Sequence, residues 1–320
     1  MQRRYVTTDV FTDRLFGGNP LAVVLDAGGL TDTQMQSIAR EFNYSETTFV
    51  LPPRDAAHSA QVRIYTPRVE VPFAGHPNVG TAFVLAHERQ RQGLPDAGNF
   101  VFEERAGLVP ITLLREQAVG AAGGAASGAV IGAELRAPEA LSRRSVVSPE
   151  SAAACLALPV SAIATNRHAP QVVSVGLPFL VVELNSRDAL RSARANVAAH
   201  EALLPLDGAD CVFTYVREAP GTSAATAGGA APTVLHARMF APLDGVPEDP
   251  ATGSATAATI ALLAALEGSA RAEQHWRIHQ GVDMGRPSLL LGRTVPGSDG
   301  ATAVYVGGRC VAVFAGSLSI

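Results

Sequence analysis

The stretch Phe73-Ala-Gly-His-Pro-Asn-Val-Gly-Thr-Ala82 has an echo farther along the chain, Glu248-Asp-Pro-Ala-Thr-Gly-Ser-Ala255. Both contain Pro-x-x-Gly-[Thr/Ser]-Ala, at an offset of 173 residues (Pro250 against Pro77). Two further echoes keep the same order. Arg63-Ile-Tyr-Thr-Pro67 resembles Arg238-Met-Phe-Ala-Pro242 at an offset of 175, and Gly18-Asn-Pro-Leu-Ala-Val-Val24 resembles Gly176-Leu-Pro-Phe-Leu-Val-Val182 at 158. Drifting offsets are what loops of unequal length produce. The reading is two similar halves, each with strands followed by a loop and a helix N-terminus. The period is far too long for a solenoid.

Outward from these echoes, local patterns supply the elements. Tyr5–Val10 and Leu21–Leu25 read as strands around a Phe16–Pro20 turn. Thr31 to Phe42 reads as a helix: Met35, Ile38, Ala39 and Phe42 share one face, Thr31 and Gln34 form a capping box, and Asn43 suits the C-terminal end. Thr47–Leu51 and Val62–Thr66 read as strands, and Pro77–Ala86 as a short helix opened by proline. Ala118–Ala129, almost only Ala, Gly and Ser, reads as a junction. It divides the chain into an N-terminal half, 1–118, and a C-terminal half, 119–320. The last strand, near 309–320 and centred on Cys310–Phe314, is a candidate to return to the first half. Gly221–Pro232 reads as a long hairpin loop between the strands Cys211–Val216 and Thr233–Phe240.

Composition excludes several classes. The chain has 320 residues, 47% of them hydrophobic and 17% charged, so it can bury a large core. A net charge of −4 gives no basic face for nucleic acid or an anionic membrane. Every one of the 25 basic residues is arginine. Without lysine there is no internal aldimine, no Schiff base and no P-loop amine. Three widely spaced cysteines (Cys155, Cys211, Cys310) and no signal-like N-terminus point to a reducing, cytoplasmic setting.

The repeated helix start is the place to look for chemistry. Free N–H groups and the positive end of the dipole project from such a turn and suit a carboxylate. Gly75, Gly80, Gly253 and Ser254 read as close-approach or N–H donor positions. His76 and Asp249 each precede the repeated proline and read as a paired acid and base, or more plainly as caps. Glu46 opens an apolar strand and points into a cavity, or is an exposed strand-edge glutamate. His275 and His279 alternate in a strand pattern that lacks metal geometry, so no metal site is expected.

Six segments together closely resemble the PhzF-like phenazine-biosynthesis family: Phe16–Val24, Ser45–Val50, Arg63–Pro67, Phe73–Ala82, Glu248–Ala255 and Gln280–Ser288. They occur in the family's order over nearly the whole chain. The resemblance implies the diaminopimelate-epimerase-like α+β fold: two pseudo-symmetric halves, each a mixed β-sheet wrapped around a central helix, with the active site in the cleft between them. It implies a homodimer and no cofactor. The implied activity is isomerisation of trans-2,3-dihydro-3-hydroxyanthranilate, a small carboxylic acid, by moving a proton between ring carbons. Carried over, Glu46 is the general acid/base, with a pKa raised by a partly dry cleft. His76 and Asp249 contact substrate and assist. Gly75, Asn19, Gly80, Gly253 and Ser254 bind it. The fold's epimerases use two opposed cysteines, but Gly75-His76 and Gly253-Ser254 stand at those places here, so thiol-based racemisation is disfavoured. A racemase of another small acid, or a ligand-binding protein of the same fold, are the competing readings.

Overall fold

A computed structural model describes residues 2–95, 98–116, 128–219, 231–267, 272–297 and 302–320. The chain forms two compact units, Met1–Leu135 with Gly307–Ile320, and Arg136–Val306. The chain therefore passes from one to the other after Leu135, beyond the junction read at 118/119. The reason is pairing: strand β7 (Gly107–Arg115) and strand β8 (Val130–Arg136) form one antiparallel hairpin. Residues 118–127 of the expected junction, and 221–230 of the expected hairpin loop, lie outside the described residues.

In the first unit, β1 (Gln2–Val10) pairs antiparallel with β2 (Asn19–Val24), and β2 runs parallel to β3 (Glu46–Leu51). Helix α1 (Asp32–Phe42) makes that crossover. Its capping box is formed, and Asn43 closes it in the left-handed region at φ 52°. Met35 and Ala39 pack on Val24, Phe49 and Tyr65. β3 pairs antiparallel with β4 (Ala60–Tyr65), which also carries β5 (Glu70–Val71). Helix α2 (Gly75–Arg91) then crosses to β6 (Asn99–Glu104), parallel to β4, and β6 turns into β7. The last strand, β17 (Thr302–Ser319), pairs with both β1 and β8. That closes the sheet of this unit into a ring. An uninterrupted run of α2, from His76 to Val84, is buried.

The second unit repeats the scheme. β9 (Ser142–Val146) and β10 (Gln171–Ser174) pair antiparallel, as do β10 and β11 (Pro178–Glu183). β11 is parallel to β12 (Val212–Arg217), which is antiparallel to β13 (Thr233–Ala241). β13 carries the short β14 (Val246–Asp249) and runs parallel to β15 (Gln274–Gln280), itself antiparallel to β16 (Ser288–Pro296). Antiparallel, parallel, antiparallel, antiparallel, parallel, antiparallel is the sequence of pairings from β1 to β7 and again from β10 to β16. Helices α3 (Pro149–Cys155), α4 (Arg187–Ser192) and α5 (Val197–Leu203) contribute an outer apolar cluster with Leu156, Leu180 and Val212. The central helix is α6 (Gly253–Leu266), buried all round from Ala255 to Ala264. In α6, Ile260, Leu262 and Leu263 are fully enclosed, and each such side chain gains about 1.5–3 kcal/mol from leaving water.

Candidate active site

The two central helices differ from the others in how they begin. α1, α3, α4 and α5 each receive a side-chain cap, from Thr31, Ser148, Ser186 and Asn196. The N-caps of α2 and α6, Ala74 and Thr252, make no such bond, and neither first turn holds an acidic residue. Such an end presents N–H donors and roughly half a positive charge, which an anionic ligand group would satisfy.

In the first unit the α2 turn meets the start of β3. Glu46, opposite Leu21 in the parallel ladder, opens β3. His76 is the second residue of α2, and its Nε2 lies 3.6 Å from Glu46 Oε2, with side chains 6% and 19% exposed. Burial pulls the His76 pKa down from 6.5 to about 3, opposed by a hydrogen bond to the backbone of Pro20. Proline has no N–H, so the ring donates and the Pro20 carbonyl accepts. A neutral imidazole has one N–H. Nε2, which has no hydrogen-bond partner among the described residues, therefore presents its lone pair to the Glu46 carboxyl. A proton on Glu46 would find an acceptor in His76. Asn19, wholly buried, accepts from Ser45 Oγ at 2.9 Å, tying the starts of β2 and β3 together beside Pro20 and Glu46.

Gly75 is the first residue of α2, but Gly80 lies more than a turn farther in and faces the sheet. A Cβ there would sit 2.6 Å from Leu21 Cδ2 and 2.7 Å from Val10 Cγ2. Its missing side chain lets α2 approach β1 and β2.

In the second unit Asp249 ends β14 and is 8% exposed. The Thr252 hydroxyl donates to Asp249 Oδ2 at 2.5 Å. Gln280, fully buried, braces this turn: its Oε1 accepts from Thr252 N–H at 3.1 Å, and its Nε2 donates to the Asp249 carbonyl at 2.9 Å and to Thr252 Oγ1 at 3.0 Å. Gly253 and Ser254 are the first two residues of α6. Counted from the helix start, Gly75-His76 corresponds to Gly253-Ser254. The proposed match of His76 with Asp249 is shifted, because Pro77 lies inside α2 whereas Pro250 lies in the turn before α6.

The echoed arginines do equivalent work. Arg63 donates from Nε and Nη2 to Glu70 at 2.7 and 2.8 Å, with its guanidinium 5.3 Å from the Tyr65 ring. Arg238 donates from Nε and Nη2 to Glu248 at 2.8 and 2.7 Å, 4.8 Å from the Phe240 ring. Each forked pair anchors the strand that leads into a central helix. The Arg63 bond holds the Glu70 carboxyl below its usual range.

The remaining expected features fall away from these turns. His275 is exposed beside Glu273, while His279 stacks on His236 at 5.1 Å, both on β15 as the alternation suggested. All three cysteines are free and buried, and burial raises the Cys155 thiol to about 11 and the other two well above their ordinary value. Such thiols are not poised as bases. No helix among the described residues is long and apolar enough to cross a membrane.

Two like sheets, each wrapped on a buried helix with a glycine-led N-terminus, define the diaminopimelate-epimerase-like fold. A hydroxyproline epimerase from Agrobacterium vitis superposes with a TM-score of 0.59 at 11% identity, over 99% of this chain and 91% of its own. Within that fold, the family model for phenazine biosynthesis-like proteins (PhzC-PhzF) matches residues 8–316, and the chain belongs to that family. It is 37% identical to an uncharacterized isomerase of Mesorhizobium japonicum, over 99% of both chains. It is 35% identical to the trans-2,3-dihydro-3-hydroxyanthranilate isomerase of Pseudomonas aeruginosa, over 96% of this chain and 95% of that one. A PhzF-family structure from Bacillus anthracis matches with a TM-score of 0.83 at 23% identity, covering all of both chains. The chain is an isomerase of this family.

Proposed function

We propose that the chain moves a proton between carbons of a small unsaturated carboxylic acid of the trans-2,3-dihydro-3-hydroxyanthranilate kind, with Glu46 as the general acid/base. The carrying observation is the Glu46–His76 contact of 3.6 Å at an uncapped helix start. The substrate carboxylate accepts hydrogen bonds from free N–H groups of a central-helix turn. Glu46 removes a proton from carbon and returns it to another. In its protonated form, Glu46 has the His76 Nε2 lone pair as acceptor, so neutral His76 orients the acid without competing as a cation. Backbone N–H groups that lead the central helices, at Gly75 and at Gly253–Ser254, are assigned in this proposal to developing negative charge. Asp249, fixed by Thr252, is assigned to a substrate polar group. No cofactor takes part in these steps. Asn19 acts by tying Ser45, and so Glu46, to β2. Membership of a homodimer is part of the same proposal.

The test is incubation with trans-2,3-dihydro-3-hydroxyanthranilate in D₂O, followed by mass spectrometry. Wild type should convert it with a one-dalton gain, and Glu46→Gln should lose turnover while binding within a few fold. Unchanged kcat in Glu46→Gln removes that residue from the role, and no conversion by wild type removes the substrate.

A further inference from the structure

The pseudo-symmetry carries one step further, to a carboxyl that the proton transfer does not use. β6 presents Phe100, Phe102 and Glu104 on one face, and β15 presents Trp276, Ile278 and Gln280. The strands are in the same register. Ala60 pairs with Phe102, Leu235 pairs with Ile278, and Ala60 and Leu235 each lie three residues before an echoed arginine, Arg63 and Arg238. Glu104 is therefore the counterpart of Gln280.

Gln280 braces the turn before α6 with both ends of its amide. Glu104 lies beside Asn78, in the first turns of α2. Asn78 is fully buried, and its Nδ2 donates to the carbonyl of Ala74, the N-cap, at 3.1 Å. Among the described residues its Oδ1 has no hydrogen-bond partner, and neither do Oε1 and Oε2 of Glu104, all three atoms being out of contact with solvent. Three buried acceptors with only the Asn78 amide, already bonded to Ala74, to favour charge on Glu104 is a costly arrangement. One proton on Glu104 changes it. A neutral carboxylic acid has a donor and an acceptor, as a carboxamide does.

We propose that Glu104 is a positioning residue that braces the first turn of α2 as a neutral carboxylic acid, through Asn78, as Gln280 braces the turn before α6. Burial supports this, raising the Glu104 pKa to about 8 against the lowering effect of Asn78. Charged neighbours on its hairpin turn elsewhere: Glu103 accepts from the backbone of Arg54 and Asp55 and contacts His58, and Arg105 pairs with Glu70. β7 presents Gly107 opposite Glu104, and α2 presents Asn78, with His76 two residues before it. The inference rests on the α2 turn being part of the substrate site.

The experiment compares wild type, Glu104→Gln, Glu104→Leu and Gln280→Glu. Backbone amide resonances of Gly75, His76, Asn78 and Val79 are followed from pH 6 to 9.5, together with turnover. In wild type these resonances should shift with one midpoint near 8, and kcat/KM should fall over the same range. Glu104→Gln should abolish the midpoint and keep kcat/KM within about threefold of wild type at pH 6.5. Glu104→Leu should raise KM tenfold or more with a smaller change in kcat. Gln280→Glu should bring a new alkaline midpoint to amides of Thr252 to Ser254. The proposal is overturned if Glu104→Gln titrates like wild type, or if Glu104→Leu keeps its KM while Glu46→Gln is inactive. Activity in Glu46→Gln overturns the functional reading instead, and the resonance titration then still decides whether Glu104 is neutral.

Discussion

His76 makes the fold sensitive to acid in a calculable way. Its folded-state pKa is about 3, set first by burial, against about 6.5 in an unfolded chain. The native state therefore keeps a neutral ring where the unfolded chain takes up a proton. Stability is lost as pH falls from 6.5 towards 3, and nothing is lost above 6.5. Each pKa unit corresponds to about 1.4 kcal/mol, so this group alone costs about 2 kcal/mol at pH 5 and about 5 kcal/mol below pH 3. His76→Asn keeps a donor for the Pro20 carbonyl and removes the titration. Urea unfolding of both proteins at pH 7 and pH 5 measures the effect as a double difference. Wild type should lose about 2 kcal/mol more than His76→Asn between the two values. The same loss in both, within about 0.5 kcal/mol, would refute a neutral buried ring.

Three further outcomes follow from the packing. Gly80→Ala puts a Cβ 2.6 Å from Leu21 Cδ2, so thermal unfolding should show a loss of about 1–3 kcal/mol; a change below about 0.5 kcal/mol means α2 does not pack as described. Arg238→Gln leaves Glu248 without its forked partner and removes the Arg238 bonds to the carbonyls of Leu190, Arg191 and Ala193, which should cost about 3–5 kcal/mol in urea unfolding. Arg63→Gln should cost clearly less, since Arg105 still reaches Glu70, and equal losses would count against the comparison. Thr252→Val removes the hydroxyl from Asp249 and should lower turnover about tenfold, with Thr252→Ser restoring it; equal rates in all three leave Asp249 without a role for that bond.

Much of the fold is legible because its signals are local. The Thr31–Gln34 capping box and Asn43 bound α1 as written in the sequence. The echoes at Gly18, Arg63 and Pro77 reveal the repeat because strand ends and turns tolerate few residues. Two things mislead. α2 begins at Gly75 rather than Pro77 because its N-cap is an alanine, which gives no capping signal, and it continues to Arg91. α6 is buried on every side, so no periodic face marks its ends. At the candidate site, Glu46, His76 and Asp249 are readable from motifs, whereas Gln280 opens one of the six segments without a legible role and Glu104 lies in none of them. Each acts on a turn 28 or 26 residues earlier. The available signal is a polar residue completing an apolar row, after Trp276 and Ile278 or after Phe100 and Phe102.

The ring of the first unit is completed by β17, about three hundred residues after β1. Gln2 lies opposite Ser319, and Val10 opposite Cys310. During synthesis, then, β1 and β8 present open edges until β17 has been made. The unit that starts first finishes last, and its closure is a high-separation pairing of the kind that slows folding. A polypeptide stopped at residue 306 would bury α2 within an open sheet, with β1 free along one side. Open edges of that kind recruit other strands. For this protein, loss of β17 is an aggregation hazard rather than a trimmed tail.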